Sequence, residues 1–166
     1  EKEALAPVRG ILGDISHVSN GNLRRAVFLL ELLAKRKKLQ GRKNLQEVVA
    51  ATTLVGVQQV LEEALRGRVH DWRWEKTGGR NKRVLKGALG ALDQLMNEHA
   101  LEAEDVVLHM HRLLTTGRLL LEESMLCDLL DALADCDVKL QTSMHGRIQL
   151  EEFLHRVKEI ALGQKI

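Results

Sequence analysis

The stretch Asn20-Gly21-Asn22-Leu23-Arg24-Arg25-Ala26-Val27-Phe28-Leu29-Leu30-Glu31-Leu32-Leu33 carries the pattern that decides the fold. Leu23, Ala26, Val27, Leu30 and Leu33 recur at helical spacing, and the Gly-Asn pair ahead of them reads as a helix start with Asn22 as its cap. Arg24 and Arg25 fall in the first turn. That turn holds unpaired backbone N–H groups and the positive end of the helix dipole, so two cations are unfavourable there unless an anion sits beside them. A phosphate suits such a place. Plain solvation at a helix end accounts for the same two arginines without any ligand.

Outward from this segment the chain keeps a helical period. Of its 166 residues only 2% are aromatic, none is Tyr, and Pro7 is the single proline. Leucine and alanine must fill the interior, and this composition favours helix over strand, so an all-α fold is expected. The apolar stripes predict helices over Leu5–Val18, from Asn22 to about Lys38, Val57–Leu65, Lys82–Glu98, Ala103–Leu114, Leu119–Leu140 and Arg147–Leu162. Leu45–Thr52 reads as a short helix or an irregular piece. Short loops between such stripes make a bundle. Gln40-Gly41-Arg42-Lys43 reads as a linker and divides residues 1–42 from 43–166. Arg68 to Lys82 breaks the helical pattern and holds Trp72 and Trp74.

The net charge of +2 hides a gradient. Residues 1–90 carry 18 Lys and Arg against 9 Asp and Glu, whereas residues 91–166 carry 7 against 14. Such a gradient suits head-to-tail packing of subunits, a basic patch for nucleic acid, or two halves that cancel within one molecule. Cys127 and Cys136 are too few for a zinc cluster and lie too far apart on one expected helix to bridge. Free thiols, no visible signal peptide and charges interrupting every apolar run lead to the expectation of a cytoplasmic protein.

Few residues point to catalysis. His109 and His111 face different sides of a helix, and His99, His145 and His155 are read as lacking a Cys or acidic partner at ligand spacing, so no metal site is expected. Nor is there a Ser-His-Asp or Cys-His arrangement to argue from. Lys76-Thr77-Gly78-Gly79-Arg80-Asn81-Lys82 is basic and glycine-rich, yet it lacks the spacing of a phosphate-binding loop, and no Gly-x-x-x-x-Gly-Lys-Ser/Thr occurs in the sequence. The tract Lys35-Arg36-Lys37-Lys38 fits a solvated helix C-terminus. Trp72, Arg73, Trp74 and Arg80 could stack on unpaired bases or anchor a partner. The plain expectation is that one Trp folds back on the bundle while the other stays partly exposed.

The arginine segment resembles the sensor 2 motif of clamp-loader ATPases, Gly-Asp-hydrophobic-Arg-Arg-Ala followed by an apolar helix, with Asn22 in place of the usual Asp. The second half is similar to the collar of replication factor C small subunits. The likeness lies in Ala91-Leu92-Asp93-Gln94-Leu95-Met96, Glu104-Asp105-Val106-Val107, Met110-His111-Arg112, Leu133-Ala134-Asp135-Cys136-Asp137 and, most specifically, Gly146-Arg147-Ile148-Gln149-Leu150-Glu151. The resemblance implies the end of a lid subdomain over 1–42 and a helical collar of about five helices over 43–166. It implies that Arg24 reaches the phosphates of ATP, bound with Mg2+ in the complete subunit, with Asn22 and Arg25 in support. The implied partners are other clamp-loader subunits in a ring, a sliding clamp and primer–template DNA. Three departures stand out: an apparent insertion over 69–81, Val138 where Tyr is common, and no Walker A or Walker B motif ahead of the arginine helix. The alternative is a free-standing helical nucleic-acid-binding module using the basic half and the Trp/Arg loop.

Overall fold

The computed structural model describes residues 10–19, 21–35 and 42–163, and the early part of the first expected helix, the tract Arg36–Lys38 and the linker residues Gln40 and Gly41 lie outside them. Helix α1 (Ile11–Ser19) and helix α2 (Leu23–Lys35) are followed by the long helix α3 (Arg42–Leu65). A two-stranded antiparallel hairpin comes next, β1 (Asp71–Thr77) and β2 (Arg80–Lys86). Then follow α4 (Gly87–Asp93), a π-helical turn over Gln94–Glu98, α5 (Ala103–Thr115), α6 (Glu123–Thr142) and α7 (Gly146–Gly163). The architecture is helical, with the hairpin as its one sheet among the described residues.

Helix α3 organises the molecule. Val57, Val60, Leu61 and Ala64 are fully buried. They join Leu92, Leu95, Val106, Met110, Leu113, Leu129, Leu150, Phe153 and Leu154 in one core built from α3, α4, α5, α6 and α7. Its N-terminal half serves another cluster, in which Leu45 packs with Ile11, Ile15, Leu29 and Leu33. The sequence reading separates Leu45–Thr52 from Val57–Leu65, and the residues between them, Thr53, Val55 and Gly56 among them, are weak helix formers. Burial on both sides overrides that weak propensity, and one rod runs through.

The expected helix over Lys82–Glu98 is corrected at its start, and its last turn, which ends at Glu98 as expected, is π-helical. Its first five residues belong to β2, whose partner β1 lies across a two-residue turn at Gly78-Gly79. Both glycines have positive φ, 58° and 81°, which gives the type I′ geometry that matches strand twist. The hairpin runs into α4 without a loop. The Arg68 carbonyl accepts from the Ala88 N–H at 2.9 Å and the Val69 carbonyl from the Leu89 N–H at 3.3 Å, so the root of β1 caps the first turn of α4. At the other end the π-helical turn closes with the His99 N–H donating to the Gln94 carbonyl at 3.2 Å. This wider turn throws His99 and Glu102 out towards α2. No helix among the described residues is long and apolar enough to cross a membrane.

Candidate functional site

Helix α2 starts as its sequence dictates. The Asn22 side-chain carbonyl accepts from the Arg25 N–H at 3.1 Å, and the Asn22 main-chain carbonyl accepts from the Ala26 N–H at 3.0 Å. That is an N-cap in which an amide does the work of the more common aspartate. The free end of the same amide reaches out of the element: Asn22 Nδ2 donates to Glu102 Oε1 at 2.9 Å. Glu102 is itself the residue preceding α5.

The two arginines part company here. Arg25 Nη1 donates to Asp105 Oδ2 at 2.7 Å, and its side chain is 13% exposed. Arg24 is exposed, and among the described residues it has no hydrogen-bond or ion-pair partner. One turn further on, Phe28 stacks on His99 with ring centroids 4.9 Å apart. Burial holds the His99 imidazole below its ordinary value, against the weaker upward pull of Glu98, and its Nδ1 is buried without a hydrogen-bond partner among the described residues. Three contacts therefore bind one side of α2 to the segment 99–105: Asn22 with Glu102, Arg25 with Asp105, and Phe28 with His99. Arg24 lies off that side, about 100° round the helix from Arg25.

Beside this junction α1 and α2 enclose an apolar groove of about 350 Å³ lined by Leu12, Ile15, Ser19, Leu23, Val27 and Leu30. Leu23 is 77% exposed, and Leu12 and Val27 are about half exposed. Arg24 does not line the groove. Its guanidinium is a donor suited to a phosphate oxygen. Two carboxylates touch the start of α2, Glu102 and Asp105, and they are engaged by Asn22 and Arg25. Among the described residues one exposed guanidinium is thus the uncommitted donor at the start of α2, chemically suited to an anionic oxygen, and these two carboxylates are committed rather than free for Mg2+.

The second group of sequence candidates sits on the hairpin. Trp72 and Trp74 share one face, opposite Leu85 and Arg83 respectively. Neither folds back on the bundle: Trp72 is 49% exposed and Trp74 72%. The expectation of one buried Trp is corrected because Arg83 covers the Trp72 ring at 4.9 Å, a cation–π contact that satisfies the ring at the surface. Arg73 pairs with Asp71 at 2.7 Å and Lys86 with Glu75 at 2.8 Å on the opposite face. Arg80 is exposed beside the glycine turn, and among the described residues neither it nor Lys76 nor Lys82 has an ion-pair partner.

The structure also joins residues that the sequence reading kept apart. His70, Glu151 and His155 come together at the root of the hairpin, their ligand atoms all within 4.8 Å of one another. His155 does have an acidic partner at ligand spacing, since Glu151 precedes it by one helical turn. That half of the signal was visible in the sequence; His70 was not, because a contact spanning 85 positions needs the fold.

Comparison with known proteins agrees with this architecture. Residues 81–156 match the family model of the replication factor C C-terminal domain, which takes in β2 and α4 through most of α7. The chain is similar to the replication factor C small subunit of Archaeoglobus fulgidus, at 22% identity over 161 residues, which is 97% of this chain. It spans a little under half, 45%, of that relative's length. The matched segment 81–156 carries the buried core of α4 to α7 and the Gly146–Glu151 start of α7, and over it the chain resembles the replication factor C C-terminal domain.

Proposed function

We propose that the chain is the C-terminal part of a clamp-loader small subunit, in which the helices from α3 onward form a collar that holds sibling subunits in a ring. In this reading α2 carries a nucleotide sensor. The observation that carries it is the division of labour at Arg24 and Arg25. Arg25, Asn22 and Phe28 fasten α2 to the start of α5, and Arg24 is left outside with a solvent-facing charge. A guanidinium on a helix tied to the collar couples phosphate binding to movement of that helix and so of the ring. ATP would supply the phosphate and, with Mg2+ held by an ATPase module, the hydrolysis that resets the state. Loading of a sliding clamp onto primer–template DNA in a cytoplasmic setting follows from the same assignment.

The test uses Arg24→Ala in a subunit that includes the ATPase region, assembled with its sibling subunits. Assembly should be unchanged and DNA-stimulated ATP hydrolysis should fall. Unchanged hydrolysis and clamp loading would remove the sensor, and failure of the 166-residue chain to join a ring of clamp-loader subunits would remove the collar.

A second reading has its own observation in the hairpin. Residues 71–86 carry six Lys and Arg against two Asp and Glu, and the acids are spent on Arg73 and Lys86. Exposed Trp74 shares its face with Lys76 and Arg83, and Arg80 and Lys82 add charge from the other face of the same narrow hairpin, so the ring is a stacking surface inside a positive field, as single-stranded nucleic acid requires. Binding of a labelled single-stranded oligonucleotide by the chain should then weaken steeply with salt and weaken further in Trp74→Ala. Absence of a complex at low salt ends this reading.

A further inference from the structure

We propose that His70, Glu151 and His155 bind one divalent transition-metal ion of the zinc class, which clips the root of the β-hairpin to α7. His70 Nε2 lies 3.0 Å from His155 Nε2 and 3.3 Å from Glu151 Oε1. A four-coordinate zinc ion with bonds of roughly 2.0–2.2 Å keeps its ligand atoms roughly 3.3–3.6 Å apart, so small side-chain rotations bring these three atoms onto one ion. Two imidazoles and one carboxylate are the donors that borderline cations such as Zn2+, Co2+ and Ni2+ prefer over Mg2+ or Ca2+. His70 is 43% exposed at its side chain, which leaves a fourth position open to water.

The scaffold holds the three ligands from both sides. Glu151 and His155 are four residues apart on one face of α7, and Leu150, Phe153 and Leu154 between and beside them are buried in the core. His70 stands between Val69, which is 1% exposed and caps α4 through its carbonyl, and Asp71, the first paired residue of the hairpin. The carboxylate is oriented by a second pair of contacts. Arg147 Nη1 donates to Glu151 Oε2 at 3.0 Å, and Arg147 Nε donates to Asp93 Oδ1 at 2.7 Å. This arrangement turns Oε1 towards the histidines, the role that outer hydrogen bonds play around metal ligands. The 3.0 Å contact between the two Nε2 atoms is a hydrogen bond when one ring carries its proton there. Binding an ion requires both rings in the Nδ1–H tautomer, so that both Nε2 lone pairs face the metal.

The experiment titrates the 166-residue chain with ZnSO4 against a chromophoric chelator and, separately, with CoCl2 followed by visible absorption. One Zn2+ per chain and the visible bands of four-coordinate Co2+ are expected. His155→Ala and His70→Ala should each weaken binding by at least about 100-fold, and Arg147→Met by about 10-fold. Cys127→Ser and His111→Ala, exposed donors outside the cluster, should leave it unchanged, and circular dichroism checks that each variant is folded. Failure of the wild-type chain to bind one equivalent overturns the proposal. So does binding that survives both histidine substitutions, which would place the ion elsewhere.

Discussion

The Arg25 guanidinium and the Asp105 carboxylate meet at 2.7 Å between the first turn of α2 and the first turn of α5. Each end of this pair sits where it is welcome only because of the other. A cation opposes the dipole at the start of α2, and the acid favours the dipole at the start of α5. Asp105→Ala leaves a largely buried guanidinium alone. The loss should be roughly 1–2 kcal/mol, below the cost for a fully buried pair because Asp105 is partly solvated. Arg25→Ala should cost a similar amount, and the double variant less than the sum. Arg24→Ala, at an exposed and unpaired position, should change stability by less than about 0.5 kcal/mol. Urea unfolding of the four variants checks all of this, and equal effects of Arg24 and Arg25 would contradict the division of labour at this site.

Gly87 is the elbow between β2 and α4. Its φ is +72°, and a Cβ there would run into the Arg68 carbonyl oxygen, the same atom that caps the Ala88 N–H. Gly87→Ala should therefore cost more than about 2 kcal/mol, from left-handed strain and from loss of the cap together. Gly13→Ala lies on α1 with open space around the new methyl and should be neutral or slightly stabilising. Thermal unfolding of the two variants side by side distinguishes a close-approach glycine from an incidental one.

Much of this architecture could be read before folding. The stripes of α5 and α7 placed those helices within a residue at each end, because their apolar faces meet a single core and repeat without interruption. Helix α6 begins at Glu123 rather than Leu119, since Leu119–Leu121 is a turn in which Leu120 is fully exposed. The hairpin is hidden by a helical stripe, although Gly78-Gly79 between alternating residues is a two-residue turn signal. Leu85 happens to stand three residues before Ala88 and so extended the α4 stripe backwards into β2. At the start of α2 the sequence marks both arginines but does not say which one α5 takes. That choice depends on Asp105, 80 positions away. The grouping of His70 with Glu151 and His155 is of the same kind: local spacing shows two members, and topology supplies the third.

The two thiols should behave differently. Cys127 is exposed, whereas Cys136 is buried between α6 and α7, with Sγ 3.5 Å from the Gln149 carbonyl. Burial, helped by Glu152, pushes the Cys136 thiol up to about 11, so at neutral pH almost none of it is thiolate. A disulfide reagent such as DTNB should titrate one equivalent in the native chain and two in urea. Two fast equivalents without denaturant would mean that the α6–α7 interface opens readily.

Acid should loosen the junction between α2 and the segment 99–105 through His99. Burial lowers the folded-state affinity of His99 for a proton, so the unfolded chain, with an ordinary imidazole near 6.5, binds protons first as pH falls. Stability from this group is therefore fully present above the unfolded value. It declines as pH drops from there towards the lower folded value, below which it is lost. His109, also held low by burial and by Arg112, acts in the same direction from α5. His99→Phe keeps a ring against Phe28 and removes both the titration and the orphaned Nδ1. Between pH about 7.5 and about 5.5 the wild type should lose more of its urea midpoint than this variant does, with the residual slope of the variant reporting His109 and the carboxylates. Hydrogen exchange locates the effect: α2 amides should lose protection first on acidification, and in His99→Phe they should not. An acid response of equal size in both proteins would place the sensitive group elsewhere.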